Sequence, residues 1–570
     1  MSELPLIAVF SGPTATIQNT PPLRTRATRG PVADGDDDLA IGGDRTGDHS
    51  DTLRAQRLAA PAVVYVEQFS GHPLESDSAD LYAPPDGYLG PDGVFHPAGP
   101  GDHPPEAVDR GWRPVLRVVL DPADGPFLLP YTARARGDTE WPGSGLTDGA
   151  PEELQRQTFY PDASRLYEEI DRFGVDNEGG GRLLSSRARF AFFRAIPSGG
   201  YRKGLAGALR TDHELTPDGA ARATSDIAPE RRGTDYFGYF PRHLRTEPDV
   251  AALARATSLL QETLGSGQFT GGQWLEGSPT TEESLYWFSL LLDITVPLVG
   301  HSAQRPHGTL SADGDRNIVD GVRYLVSRVW ADEAGRDDIG AVMIVDEVVY
   351  AARQVAKTDA RPGNYVATGG FGGIVGSIEG SGRPVVTFRP QARHTWRSEL
   401  RLPALPSSVP GLRGEVAVKD GQGRLEPGAM PAVTIVTYGR YTDGCGPAGI
   451  TGWLDHARRS HQLAGIVAEG ANPYGSMDPA TDAALQAAAM SGVPVVKCGR
   501  GNTAGFAPRQ EPWAISGNNL TATKARVLLL AALLKLGVLP PAADPARPDP
   551  GETDRVHAAV AAYQHIFDTH

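Results

Sequence analysis

The sequence predicts an α/β protein. We expect a larger N-terminal domain with a mostly parallel sheet and an inserted irregular subdomain, followed by a smaller doubly wound C-terminal α/β domain. Along two separate stretches of the chain, short apolar runs alternate with segments of helical spacing, which is typical of parallel βαβ units. A long segment rich in Pro, Gly and Asp interrupts the first stretch. The chain has 570 residues, enough for several domains.

The first elements surround the predicted insertion. The apolar run 6–10 ends at a Ser-Gly-Pro turn, which indicates a buried strand. The polar segment 20–60 is either a solvated linker or a mobile lid over a site. A second strand is expected at 60–68. Residues 84–245 are interpreted as an insertion or subdomain, since loops of this length are uncommon. The elements expected inside it are two strands and one helix, at 115–120, 127–131 and 154–173.

After the insertion, strand-like apolar runs alternate regularly with segments of helical spacing. The same pattern is repeated on a smaller scale after a Pro/Gly-rich linker at 402–430. The N-terminal domain is predicted to span 1–401 and the C-terminal domain 431–570. Helices are expected at 250–264, 282–292, 318–330, 452–461, 481–490 and 523–536. Strands are expected at 271–275, 296–299, 341–345, 433–437, 465–468 and 493–497.

Charge and composition exclude several classes of protein. The formal charge is −15, from 69 acidic and 54 basic residues, which disfavours a nucleic-acid partner. Two cysteines build neither a disulfide framework nor a Cys-rich zinc site, and a reducing compartment is expected. The beginning of the sequence lacks the pattern of a signal peptide, and the apolar run at 527–539 is too short to span a bilayer. We therefore expect a cytoplasmic protein with no membrane partner.

In parallel sheets, ligands bind beyond the carboxyl ends of the strands. The segments at those positions are 11–16, 76–80, 277–282, 303–313, 350–358 and 469–476. Taken in order, these segments resemble the asparaginase/glutaminase family, the bacterial-type amidohydrolases with a threonine nucleophile. The matching stretches are SGPTAT (11–16), PLESDSADLYAP (73–84), EGSPTTEES (276–284), AQRPHGTLSADGDRN (303–317), VDEVVYAARQVAKT (345–358), RHTWRS (393–398), AGIVAEGANPYGS (464–476) and ISGNNLTATKARVLLLAAL (515–533).

The resemblance implies hydrolysis of a primary amide to a carboxylate and ammonia, without a metal or other cofactor. It also implies homodimers or homotetramers whose protomers share active sites. In this sequence Thr14 takes the place of the nucleophile, Lys357 that of the lysine in the Thr–Lys–Asp triad, and Ser278 that of the second threonine. The resemblance implies substrate contacts at Ser78, at the Ala303 carbonyl and at Asn472, the last from a neighbouring protomer.

Three departures from the family pattern bear on the substrate. Pro279 stands where the family has the aspartate that binds the α-amino group, and Pro13 replaces a glycine of the first turn. No tyrosine precedes Tyr65, so the assisting tyrosine of the lid has no match. We therefore expect a small amide substrate other than plain asparagine. Thr280, Glu282 and Glu283 are candidates to replace the aspartate, although a carboxylate in a first helical turn also complements the helix dipole.

Several alternatives remain open at the level of sequence. Thr14 has the position of a helix cap as well as that of a nucleophile. Ser278 and Lys357 could form a hydroxyl–amine dyad that either supports Thr14 or replaces it. Asp313 is expected to order a turn. The whole chain could instead be a non-catalytic binding protein, or it could transfer an amide or acyl group in a biosynthetic pathway.

Overall fold

The computed structural model describes most of the chain from residue 250 onward and separate pieces before it. The described residues are 4–12, 24–25, 39–40, 55–56, 62–68, 87–90, 94–97, 112–120, 127–128, 155–157, 167, 170, 183–195, 209–215, 221–223, 250–278, 280–305, 311, 313–358, 365–368, 372–439, 445–500 and 511–570. Most of the predicted lid or linker at 20–60 lies outside them.

Strands are numbered in chain order over these residues. They are β1 (Leu6–Ser11), β2 (Arg24–Thr25), β3 (Leu39–Ala40), β4 (Ala55–Gln56), β5 (Ala62–Gln68), β6 (Gly87–Leu89), β7 (Phe95–Pro97), β8 (Arg113–Leu120), β9 (Phe127–Leu128), β10 (Gln155–Gln157), β11 (Arg189–Arg194), β12 (Leu209–Leu215), β13 (Ala221–Ala223), β14 (Gly271–Leu275), β15 (Leu298–His301), β16 (Val342–Val345), β17 (Val348–Ala351), β18 (Val355–Lys357), β19 (Tyr365–Ala367), β20 (Ile374–Ile378), β21 (Pro384–Val386), β22 (Ser408–Gly411), β23 (Gly414–Ala417), β24 (Ala432–Thr437), β25 (Ala464–Gly470), β26 (Val495–Gly499) and β27 (Ile515–Ser516).

The α-helices described are α1 (Val250–Leu264), α2 (Thr281–Leu291), α3 (Gly314–Ser327), α4 (Cys445–Ser460), α5 (Pro479–Met490), α6 (Ala522–Leu536) and α7 (Pro550–Thr569). Three single-turn 3-10 helices are Thr395–Arg397, Leu402–Ala404 and Pro427–Ala429. None of the helices in the described part of the chain is both long and apolar enough to cross a membrane.

A ten-stranded sheet carries the N-terminal part of the fold. Its order is β13-β12-β11-β1-β14-β15-β16-β17-β20-β21. The strands from β11 to β16 are parallel, and both flanks are antiparallel. Along β1, Ile7 and Val9 enter one buried apolar cluster, while Ala8 and Phe10 enter the other. Both faces of the sheet are therefore covered, which is why its central strands are mostly apolar.

The C-terminal part has a four-stranded parallel sheet in the order β24-β25-β26-β27, flanked by α4 to α7. The expected α/β class and the smaller C-terminal α/β unit are thus confirmed. The segment expected as a linker at 402–430 contains the β22–β23 hairpin and two of the 3-10 helices. Its side chains Val409, Val416 and Leu425 are buried in the same core as α2 and α6, so this segment is packed rather than solvated.

In the region before residue 250 the strands expected at 60–68 and 115–120 are present as Ala62–Gln68 and Arg113–Leu120, and two other expectations differ from the structure. The predicted second strand, observed at Ala62–Gln68, lies in a separate seven-stranded sheet, where it pairs with β8 and β10. The start of the helix expected at 154–173 is strand β10, and only positions 167 and 170 are described as helical. Strand β11, inside the expected insertion, pairs with β1 in the large sheet. Apolar runs indicate strands but do not indicate their partners.

Candidate active site

Two neighbouring parallel strands bring the first site residues together. Ser278 follows β14, and Ser302 and Gln304 follow β15, which is the next strand of the sheet. The Gln304 side-chain amide donates to Ser278 Oγ at 2.8 Å. Adjacent parallel strands end at the same edge, so the loops after them meet there. The expected position of a site, beyond the carboxyl ends of the strands, therefore contains interacting polar groups.

A short hairpin adds two more side chains to this edge. In the β18–β19 pair, Lys357 lies directly opposite Tyr365, so both side chains stand on the same face. Lys357 Nζ donates to Ser278 Oγ at 3.0 Å, and the Tyr365 hydroxyl donates to the same oxygen at 2.9 Å. The Tyr365 hydroxyl is also 3.1 Å from Ser302 Oγ. We refer to Ser278, Lys357, Tyr365, Gln304 and Ser302 as the Ser278 cluster.

The loop that carries Gln304 is held by a buried carboxylate. Asp313 accepts hydrogen bonds from the backbone N–H groups of Gln304 and Arg305 at 2.9 to 3.0 Å. The Asn317 side chain donates to the Ser302 carbonyl at 2.9 Å. The expectation that Asp313 orders a turn is thus confirmed. Ala303 lies between these two anchored residues, so the position of its backbone is set by both contacts.

Glu282 supports Lys357 from behind. Its carboxylate is buried and accepts the backbone N–H of Lys357 at 2.5 Å. Burial raises the pKa of Glu282, and the positive charges of Lys524 and Lys357 oppose that rise. In the structure this carboxylate contacts the strand that carries Lys357. The sequence assigned Glu282 to the substrate, and its position at the start of α2 instead directs it toward the hairpin.

Lys524 joins the C-terminal part of the fold to the same region. Its side chain on α6 is fully buried, and Nζ donates to the carbonyls of Glu282 at 2.5 Å and Ala352 at 2.7 Å. Burial lowers the pKa of Lys524, while the charges of Glu282 and Glu283 oppose this effect. The ammonium group is thus placed between α2 and the turn that precedes β18. The packing of α6 therefore helps to fix Lys357.

A second buried carboxyl lies just before Ser278. Glu276 accepts the indole N–H of Trp274 at 2.7 Å and the Thr280 hydroxyl at 2.8 Å. Burial raises the pKa of Glu276 from 4.5 to about 7. The Thr280 side chain, which the sequence assigned to substrate binding, is thus engaged with Glu276. Both carboxyls near the cluster, Glu276 and Glu282, are occupied by groups of the protein itself.

The remaining predicted site residues are not part of the cluster as described. Thr14 and Ser78 lie outside the described residues, and so does Pro279. Gly12, just before the predicted nucleophile, donates its N–H to the Leu275 carbonyl at 2.7 Å, next to the end of β14. Asn472 is exposed after β25, and its side-chain amide donates to the Arg500 carbonyl.

Three members of the cluster were missed at the level of sequence, namely Tyr365, Gln304 and Ser302. Gln304 and Ser302 lie in or beside a segment already expected at a strand end, and that position was a usable signal. Tyr365 has no such signal, because only the pairing of β18 with β19 brings it to Ser278. Within the ranges that the structure describes, no group of three or more His, Cys, Asp or Glu side chains could hold a metal ion.

Sequence comparison finds similarity to amidohydrolases of the asparaginase type. The chain is 25% identical over 295 residues to L-asparaginase 2 of Bacillus subtilis (strain 168), covering 51% of this chain and 68% of that protein. It is 25% identical over 268 residues to the glutaminase-asparaginase of Pseudomonas fluorescens biotype A, covering 45% of this chain and 62% of that protein. No protein-family model matches the chain.

A solved structure gives a partial match. It is that of a probable cytoplasmic L-asparaginase from Campylobacter jejuni, with 22% identity and a TM-score of 0.43, covering 57% of this chain and 85% of that one. The two sequence matches show that the chain is similar to asparaginases and glutaminase-asparaginases over about half of its length.

Proposed function

We propose that this protein hydrolyses a primary amide to a carboxylate and ammonia through a threonine acyl-enzyme. The single observation that carries the proposal is the 3.0 Å contact between Lys357 Nζ and Ser278 Oγ. A hydroxyl is a weak nucleophile unless a base accepts its proton, and an amine within hydrogen-bond distance of a hydroxyl is such a base. The relationship to asparaginases supplies the reaction class.

In the proposed reaction Thr14 attacks the amide carbonyl. The Thr14 proton passes to the Ser278 oxygen, and the Ser278 proton passes to the amine of Lys357. The bond between Thr14 Oγ1 and the carbonyl carbon forms, the C–N bond breaks, and the proton returns from Lys357 through Ser278 to the departing ammonia. Water then cleaves the ester and regenerates Thr14. Ser78 and the Ala303 carbonyl would hold the substrate, with no metal or cofactor involved.

The proposed substrate is a small amide without a free α-amino group. Pro279 provides no charge where the related enzymes have an aspartate, and the nearby carboxyls of Glu276 and Glu282 are bound within the protein. Taking an ammonium group from water requires a compensating partner. We further propose a cytoplasmic homodimer or homotetramer in which Asn472 of one protomer completes the site of its neighbour.

Ammonia release tests the function. Wild-type protein is incubated with asparagine, glutamine, simple aliphatic amides and peptide amides, beside Thr14→Ala and Lys357→Met. Lys419→Met is the matched control, because Lys419 donates only a 3.4 Å hydrogen bond to the Pro403 carbonyl, on the surface. We expect release from an amide lacking an α-amino group, loss in the first two variants and retention in the control. Equal release by wild type and Thr14→Ala would refute the threonine acyl-enzyme.

The second candidate functions are ligand binding without turnover and acyl transfer. Pro279, together with the absence of a tyrosine before Tyr65, favours the first of them. Thermal stabilisation by an amide that is never hydrolysed would support binding. A new amide formed when an amine is added to the reaction would support transfer.

A further inference from the structure

Three hydrogen-bonding groups converge on the Ser278 oxygen. Lys357 Nζ, the Tyr365 hydroxyl and the Gln304 amide lie within hydrogen-bond distance of Ser278 Oγ, at 3.0, 2.9 and 2.8 Å. A serine hydroxyl has two lone pairs and one proton. When Lys357 acts as the base, the Ser278 hydroxyl donates its proton to Nζ, and its two lone pairs accept from Tyr365 and Gln304. An oxygen that has lost the proton has three lone pairs and can accept all three.

Two of these donors are fixed by contacts that do not involve Ser278. The backbone of Tyr365 is held by the β18–β19 pair and by the Tyr350 hydroxyl, which donates to the Tyr365 carbonyl at 3.0 Å. The backbone of Gln304 is held by Asp313. Donors that are held in place before charge develops stabilise that charge without reorganisation, which makes them effective in catalysis.

We propose that Tyr365 is a catalytic residue, whose phenol stabilises the Ser278 oxygen while its proton is on Lys357. This inference rests on the proposed amide hydrolysis and adds a donor to it. The proton of Ser278 moves to the Lys357 amine, and the Tyr365 O–H remains intact and hydrogen-bonded to the resulting oxyanion. That oxygen then takes the proton of Thr14 as the bond between Thr14 Oγ1 and the carbonyl carbon forms.

The environment of Tyr365 keeps the phenol in the form that donates. Burial raises the pKa of Tyr365, and its hydrogen bonds to Ser278 and Ser302 oppose the rise. The Ser302 hydroxyl, 3.1 Å away, can donate to the phenol oxygen while the phenol donates to Ser278. The Tyr365 phenol thus contacts the Ser278 oxygen from the β18–β19 hairpin. The predicted lid at 20–60 contains no tyrosine.

Tyr365→Phe tests this role, because it removes the hydroxyl and keeps the ring. Tyr324→Phe is the matched control: Tyr324 is buried, and its hydroxyl has no hydrogen-bond partner in the portion of the chain that is described. Acylation by p-nitrophenyl acetate is followed as the first-turnover burst of p-nitrophenolate, with intact-mass detection of the acetylated protein. This activated ester reports a reactive hydroxyl whatever the natural amide is.

We expect the burst rate of Tyr365→Phe to fall about 100-fold, in the range found when one oxyanion donor is removed. The Tyr324→Phe burst should match wild type. The ascending limb of the rate against pH should also move to higher pH in Tyr365→Phe, because the Ser278 oxygen loses a donor that favours its deprotonated form. A purely structural role would lower the rate without moving this limb.

A wild-type burst rate in Tyr365→Phe, an unmoved limb, or no burst in wild type would overturn the proposal. A normal burst without ammonia release from any amide would refute the amide hydrolysis and leave the role of Tyr365 intact. If Tyr365→Phe does not fold, Gln304→Leu, which removes another donor to Ser278, decides the matter. Gln304→Leu should also slow the burst and move the ascending limb of the rate against pH to higher pH. An unchanged burst rate would overturn the proposal.

Discussion

Replacing Glu276 with glutamine should remove a large part of the pH dependence of stability. Burial raises the pKa of this carboxyl from 4.5 to about 7 in the folded protein. The folded state therefore holds its proton more tightly than the unfolded state. At 1.36 kcal/mol for each pKa difference of one, folding should lose about 3 kcal/mol as the pH rises from about 4.5 through 7.

Glu276→Gln is close to the same shape and carries no charge. Its carbonyl oxygen can still accept the Trp274 indole N–H, and its NH₂ can donate to the Thr280 hydroxyl. Wild type and variant should thus have similar stability near pH 4.5. Above pH 7 the variant should be more stable by about 3 kcal/mol. Groups other than Glu276 titrate equally in both proteins and cancel in the difference.

Infrared difference spectra of wild type minus Glu276→Gln measure this titration directly. The band of a protonated carboxylic acid should disappear with a midpoint near pH 7. Urea unfolding of both proteins at pH 4.5 and pH 8 supplies the stability difference. The idea that burial holds the proton on Glu276 would be refuted by a titration midpoint near the ordinary glutamate pKa. It would also be refuted if the difference in free energy of unfolding between wild type and variant were the same at pH 4.5 and pH 8.

Three further predictions concern the groups around Ser278. Lys357→Met should lower the steady-state rate of ammonia release about 10² to 10⁴-fold, as expected for loss of a proton-transfer group. Lys419→Met should leave this rate unchanged, and equal losses in the two variants would contradict the role of Lys357. Lys524→Met should lower the free energy of unfolding by on the order of 3 kcal/mol, because the buried Glu282 carboxylate loses its compensating charge. An unchanged thermal unfolding midpoint, measured by circular dichroism, would contradict this prediction. Asp313→Ala should slow the p-nitrophenyl acetate burst while the protein stays folded, because the Gln304 backbone N–H loses its hydrogen bond to the Asp313 carboxylate. An unchanged burst rate would show that this hydrogen bond does not position Gln304 for the reaction.

Most of the fold after residue 250 could be predicted from local patterns. There, strands β14, β15, β24 and β25 are each followed by an α-helix with regular spacing, and both signals are local, whereas the successive strands β17 to β23 were not predicted. The 62–68 strand shows the limit of this approach, because its residues indicate a strand but not that it pairs with β8 in a second sheet. The same limit applies to β11, which joins the large sheet from within an irregular stretch.

The candidate site was predictable where motif order supplied long-range information. Ser278 and Lys357 are separated by 79 positions and were nonetheless expected as a pair, and the structure places them 3.0 Å apart. Tyr365 was missed because its proximity depends on the register of a short hairpin. Glu282 was assigned to the substrate because the sequence does not show in which direction a side chain of a first helical turn points. The Glu282 carboxylate could have faced a ligand, and in the structure it faces the β18–β19 hairpin.

We propose that a hydroxyl activated through Ser278 and Lys357 cleaves an amide. The most direct measurement is ammonia release from the amide panel by wild type, Thr14→Ala and Lys357→Met at equal concentration of folded protein. We expect release by wild type and its loss in both variants. Release that is unchanged in Lys357→Met, or no release by folded wild-type protein from any amide, would contradict this proposal.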